Sequence, residues 1–152
     1  MTLPASSCAR LCIALFALVG LVAGCESTEL ERVPDGQVDA SRKSQAETFA
    51  TTVLGAWAKD EYPALGDGAT EEMRSANSPE AQQKADKKLE AEAGSFQSLA
   101  FQEMQRTKPP RFDVYRFKGT FDKSPSPIEV RVVHDVEGKV TAFVVRPWKD
   151  AP

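Results

Sequence analysis

The chain predicts an α+β fold, with three helices in its first half packed on an antiparallel sheet of four strands in its second. Two observations carry this. Apolar residues recur at helical spacing between Ala46 and Ala58 and again beyond Ser78, whereas after Gly94 they alternate, with Val and aromatic enrichment. Helices first and strands afterwards put the helices on one face of the sheet, not both.

Ala46, Phe49, Ala50, Val53, Leu54, Trp57 and Ala58 form one stripe and define the first helix. Asp60 to Gly68, with Pro63 and two glycines, ends it. Thr70 before Glu71 and Glu72 reads as a capped start, because acids are favoured where the helix dipole is positive. Ser78 with Pro79 in the first turn opens a third helix, which Gly94 stops. Its packed face is expected to be Ala81, Ala85, Leu89 and Ala93.

The strands are expected over Phe96–Gln105, Arg111–Phe121, Ile128–Asp135 and Lys139–Trp148, separated by proline-rich turns and by Asp135-Val136-Glu137-Gly138. That last turn reads as a tight hairpin in which glycine supplies positive φ. With Asp135 opposite Lys139, Val130 faces Val144, and Ile128, Val130, Val132, Val140, Ala142 and Val144 share the core face. Glu129, Arg131, Phe143 and Val145 then share the far face, which mixes charge with apolar bulk and suits a partner surface. A one-residue slip would exchange the two faces.

The first 24 residues follow a different plan. Arg10 precedes an apolar run, small residues Val22-Ala23-Gly24 follow, and polar sequence starts at Glu26. This is the layout of a secretory signal. A transmembrane helix needs about 20 apolar residues, and the run is shorter. Leu21-Val22-Ala23-Gly24-Cys25 resembles the lipobox of bacterial lipoproteins. The resemblance implies cleavage before Cys25 and lipid on its sulfur. It also implies a place in the bacterial cell envelope, anchored to membrane and facing the periplasm. Glu26 in place of Asp leans towards the outer membrane. Residues 1–24 are then the signal peptide, 25–42 a polar lipidated tether spanning about 20–25 Å, and 43–152 the domain.

All three cysteines fall within residues 1–25, so the remainder has neither disulfide nor thiol chemistry. With Arg10 removed, 18 basic and 22 acidic residues give a net charge of −4. Nucleic acid is therefore not an expected partner.

The order helix, short helix, helix, then four strands resembles the nuclear-transport-factor-2-like superfamily, in particular its small bacterial envelope domains of unknown function. The residues carrying the likeness are Ala46–Tyr62, Gly94–Leu99 and the hairpin from Ile128 to Pro147. The resemblance implies a curved, cystatin-like cone, a pocket between the first helix and the sheet, and frequent dimerisation through the sheet. It implies no single activity, since the superfamily holds isomerases, dehydratases, scaffolds and binders.

Candidate site residues are few. His134, Asp135 and Glu137 surround a turn, where acids and glycine belong in any case, so no metal and no cofactor is expected. Asp113 and Tyr115 lie two apart on one strand face and could line a cavity, but match no catalytic motif, and an exposed strand face is the plainer reading. Trp57, Tyr62, Tyr115 and Trp148 are candidates for a ligand pocket, with Trp57 as core and Trp148 as a packing cap the plainer alternative. Arg106, Lys108, Arg111, Arg116 and Lys118 form the most basic stretch and could meet anionic headgroups. The function expected is non-enzymatic binding of an envelope protein or of a second copy. Carriage of a small apolar ligand is the alternative, and a small-substrate enzyme the third.

Overall fold

The computed structural model describes residues 29–150, so the signal segment and Cys25 lie outside the described residues. The fold is α+β: three helices and an open sheet of five antiparallel strands in sequence order. Strand β1 is Leu30–Val33, followed by a 3₁₀ turn at Asp35–Gln37. Helix α1 is Ala40–Trp57, α2 Glu71–Ala76 and α3 Pro79–Ala93. Strands β2 to β5 are Phe96–Thr107, Asp113–Phe121, Ile128–His134 and Val140–Pro147. No helix among the described residues is long and apolar enough to cross a membrane.

The fifth strand corrects the sequence reading. The segment expected as a tether to residue 42 carries β1, the turn and the start of α1. Strand β1 pairs with the end of β2, Leu30 opposite Thr107 and Val33 opposite Met104. Only Val33 of its four residues is buried, so it gives almost no hydrophobic pattern. Asp39 caps α1 by accepting a 2.9 Å hydrogen bond from the Arg42 N–H.

The apolar stripe of α1 packs on the sheet as its spacing requires: Ala46, Ala50, Val53, Leu54 and Trp57 are buried, and Ala58 is exposed. Facing them are Met104, Tyr115, Phe117, Val130 and Val132. The packed face of α3 differs from the expected alanine stripe. Gln82, Asp86 and Ala93 are buried, while Ala81 and Ala85 are exposed. The rotation follows from hydrogen bonding. Gln82 Oε1 accepts from the Trp57 indole at 3.1 Å, and its amide donates to the carbonyls of Pro63 at 2.8 Å and Asn77 at 3.0 Å. Asp86 accepts from the Tyr62 hydroxyl at 2.9 Å. Alanines could satisfy none of these groups.

The last hairpin forms with the expected glycine turn and, beyond it, a bulge in β5 that the sequence does not announce. Gly138 has φ +87° and donates to the Asp135 carbonyl at 3.1 Å, and the Asp135 N–H donates to the Lys139 carbonyl at 3.0 Å. His134 then pairs with Val140, but Val133 pairs with Ala142, leaving Thr141 as an extra residue in β5. Val130 therefore faces Val145 and Val132 faces Phe143. Phe143 and Val145 turn inwards, and Ala142 and Val144 turn outwards, the exchange of faces that a one-residue slip produces. Inside, Phe143 meets Phe49 and Trp57 edge-on, with ring centroids 5.6 and 6.2 Å apart.

Candidate functional site

Among the described residues the outer face of the sheet carries no helix, and it is built around one carboxylate. Glu129 on β4 is fully buried, at 0 % exposure, although it stands on the face away from the core. Arg116 on β3 donates through Nε at 2.5 Å, Arg131 on the same strand as Glu129 at 2.6 Å, and Arg146 on β5 at 2.6 Å. Arg116 also bonds Glu103 of β2 and donates to the Lys149 carbonyl at 2.7 Å. Arg32 of β1 closes the row, 3.6 Å from Glu103. Four arginines thus surround two glutamates across all five strands. Burial alone would raise the Glu129 carboxyl, but the hydrogen bonds from Arg146, Arg131 and Arg116 outweigh it and hold the group below the usual carboxylate range.

The stems of these arginines cover the sheet, and short apolar side chains lie between them. Val144 is 38 % exposed and Val133 and Ala142 are half-buried. Trp148 lies over the guanidinium of Arg116, 4.6 Å from the ring centroid, with the Lys118 ammonium at 4.7 Å. The four residues expected to form one partner surface are therefore divided. Glu129 and Arg131 belong to this face; beneath it Phe143 packs against α1 and Val145 against the core.

The other expected grouping is not gathered either. Trp57 is buried and bonded to Gln82, Tyr62 is bonded to Asp86, and Trp148 is on the outer face. Burial, followed by the bond to Asp86, pushes the Tyr62 hydroxyl up to about 12. A space of about 40 Å³ separates Leu54 and Trp57 from Leu89 and Phe121, little more than one water molecule occupies.

At the opposite end of the sheet an open cleft of about 450 Å³ lies between the start of α1 and the β2–β3 and β4–β5 turns. Arg42, Arg106, Arg111 and Asp113 line it, with Met104 among the lining residues. Arg106 Nε donates to Asp113 at 2.7 Å, and Arg111 and Arg42 stand 3.8 and 4.0 Å from the same carboxylate. Asp113 is thus neutralised by arginines. Beside it on the inner face are the fully buried Tyr115 and His134, ring centroids 5.2 Å apart, with no hydrogen-bond partner among the described residues for the Tyr115 hydroxyl or either His134 nitrogen. Burial and the Asp113 charge push the Tyr115 hydroxyl up to about 12. Burial, then the Arg42 charge, moves the His134 imidazole below its ordinary value. Among the described residues no group of acids, histidines and cysteines could hold a metal ion.

Two consequences are measurable. Glu129→Gln leaves buried Arg116 short of compensating charge and is expected to cost about 3 kcal/mol in denaturant unfolding near neutral pH. His134 is the chain's one histidine, and its folded-state pKa is depressed. Its stabilising contribution is full above the unfolded value of about 6.5 and declines as pH falls below it, because the unfolded chain takes up the proton first. Thermal unfolding between pH 5 and 7.5 should show this slope in the wild type and lose most of it in His134→Phe. No family model, curated protein or solved structure matches this chain.

Proposed function

We propose that this chain is a bacterial envelope lipoprotein, anchored to membrane through lipid on Cys25 and facing the periplasm, with the outer membrane favoured. Its domain is a non-enzymatic binding module of the cone type, cystatin-like or nuclear-transport-factor-2-like, that recognises an acidic protein surface. The single observation carrying the binding assignment is the outer sheet face, left bare by the helices and set with four arginines against two glutamates around buried Glu129. The mutual bonds fix the guanidiniums before any partner arrives, which lowers the ordering cost of association. Arginine set among short apolar side chains is also the composition that interface centres favour.

The charge excess separates the two kinds of partner. Two copies meeting through this face would bring like-charged arginine rows together, which costs free energy. An acidic partner is therefore favoured over a second copy. Helix α1 following β1 and preceding a sequential antiparallel sheet supports the cone reading. The packed contact between α1 and the sheet gives no support to carriage of an apolar ligand, since the space there is about 40 Å³. The tie of Asp113 to Arg106 suits binding better than proton abstraction, and buried Tyr115 and His134 lie outside the cleft lining.

Two measurements test this reading. Intact-mass analysis of membrane-extracted protein should find a chain starting at Cys25 with added diacylglyceryl and acyl mass; a cytosolic chain starting at Met1 would overturn the anchor. A photo-crosslinking residue at Val144, used in growing cells, should yield one discrete adduct that weakens at least fivefold with Arg146→Glu. An adduct at twice the protein's mass would point to self-association, and no adduct would remove the outer face as an interface.

A further inference from the structure

We propose that the open cleft binds a small zwitterion, a molecule with one oxyanion and one ammonium, the oxyanion on Arg106 and Arg111 and the ammonium between Asp39 and Asp135. This site is separate from the outer face, and the assignment holds whether or not Cys25 carries lipid. The volume of about 450 Å³ falls in the range of small-molecule sites. Its lining is too charged for an apolar occupant.

Each wall carries both signs. The β2–β3 side supplies Arg106 and Arg111 around Asp113, and the side made by the α1 start and the β4–β5 turn supplies Asp39 and Asp135 beside Arg42. Each wall has unspent bonding capacity. Arg106 uses only Nε, on Asp113, and the Arg111 side chain, 55 % exposed, approaches Asp113 at 3.8 Å without a hydrogen bond. Two guanidiniums so placed suit a planar or tetrahedral oxyanion. On the other wall Asp39 spends Oδ1 on the Arg42 N–H and Asp135 spends Oδ1 on the Lys139 N–H, each at 2.9 Å. The second oxygen of each carboxylate has no hydrogen-bond partner among the described residues. Arg42 is occupied, donating to the carbonyls of Asp135 at 3.4 Å and Val136 at 3.1 Å.

A simple anion would gain the two arginines but face Asp39, Asp113 and Asp135. A simple cation would meet the reverse. A dipolar ligand satisfies both walls with no net charge left over, which is how charge patterning discriminates among partners. Two sources offer that chemistry: the headgroup of a zwitterionic phospholipid and a free amino acid.

Isothermal titration calorimetry of the full-length protein in non-ionic detergent tests the proposal, with sn-glycero-3-phosphoethanolamine and L-alanine as separate probes. One of them should bind at least tenfold more tightly than inorganic phosphate or ethanolamine supplied alone, and which one binds identifies the source. Arg111→Gln, at an exposed position, and Asp39→Asn, which keeps a good helix cap, should each weaken that binding at least fivefold without moving the thermal unfolding midpoint. Absence of binding by both zwitterions, equal binding of phosphate alone, or unchanged affinity in either variant would overturn it.

Discussion

A carboxylate without exposure, held by three guanidiniums on the face of a sheet that should be wet, is the constraint around which this domain is arranged. Removing such a group from water costs several kcal/mol, recovered only if good hydrogen bonds replace the lost hydration. For Glu129 the replacement comes from β3, β4 and β5 together, through Arg116, Arg131 and Arg146. That demand reaches into backbone geometry. In an unbulged hairpin with Asp135 opposite Lys139, Arg146 would fall opposite Ile128 and point into the core. The extra residue at Thr141 moves Arg146 opposite Glu129 and sends Phe143 inwards to the rings of Phe49 and Trp57. One bulge therefore completes the ion cluster and the aromatic contact at once. A one-residue slip would destroy both.

The sequence announces some of this and conceals the rest for identifiable reasons. Helix α1 was legible because its apolar residues repeat at 3.6 and polar residues fill the remaining positions. The inner face of β4 was legible by alternation; that of β3 was not, because Asp113 beside Tyr115 suggests an exposed face where both are in fact buried. Strand β5 was not, because Val140-Thr141-Ala142-Phe143-Val144-Val145 places apolar residues on both faces and alternation has nothing to separate. The readable signal was charge parity. Glu129 and Arg131 stand together on β4, and Arg146 can join them only if Ala142 and Val144 face out and Phe143 faces in. Strand β1 escaped notice because four residues with one buried side chain make no pattern, and its one acid and one arginine imitate a linker. On α3 the alanines misled, since the buried face holds Gln82 and Asp86 as partners for Trp57 and Tyr62. Hydrogen-bonding demand from the neighbouring helix overrode hydrophobicity.

The same polar anchoring bears on the candidate site. Trp57 and Tyr62 had two roles open to them from sequence, pocket wall or structural post. Their bonds to α3 assign both to structure, and the space beside Trp57 is close to the size of a water molecule. The open volume lies instead where the chain ends of α1, β2 and β4 converge, among residues that sequence reading had placed in a basic hairpin and a turn. Of the candidates named from sequence, Asp113, Asp135, Arg106 and Arg111 line it. Tyr115, two residues on from Asp113, shares its face but is buried further into the core.

Lipid on Cys25 would limit how far these surfaces can stand from the bilayer. Strand β1 begins at Leu30, so residues 26–29 are the whole leash, at most about 14 Å when extended. That is shorter than the flexible tether first expected, and it joins the domain at the end where Glu29 contacts Lys108 of the β2–β3 turn. The cleft opens at this end and would lie nearest the bilayer. The side opposite the arginine face carries the acid: residues 58–93 hold nine acidic and five basic side chains. A domain charged positively on the sheet and negatively over the helices has a preferred direction of approach for an acidic partner, and this steering acts before any contact forms. Close to a surface, over distances of about a Debye length of 8 Å, that field persists in physiological salt. On the proposed reading a short leash and a divided charge would act together: the first would set which end lies nearer the membrane, and the second which face an acidic partner approaches.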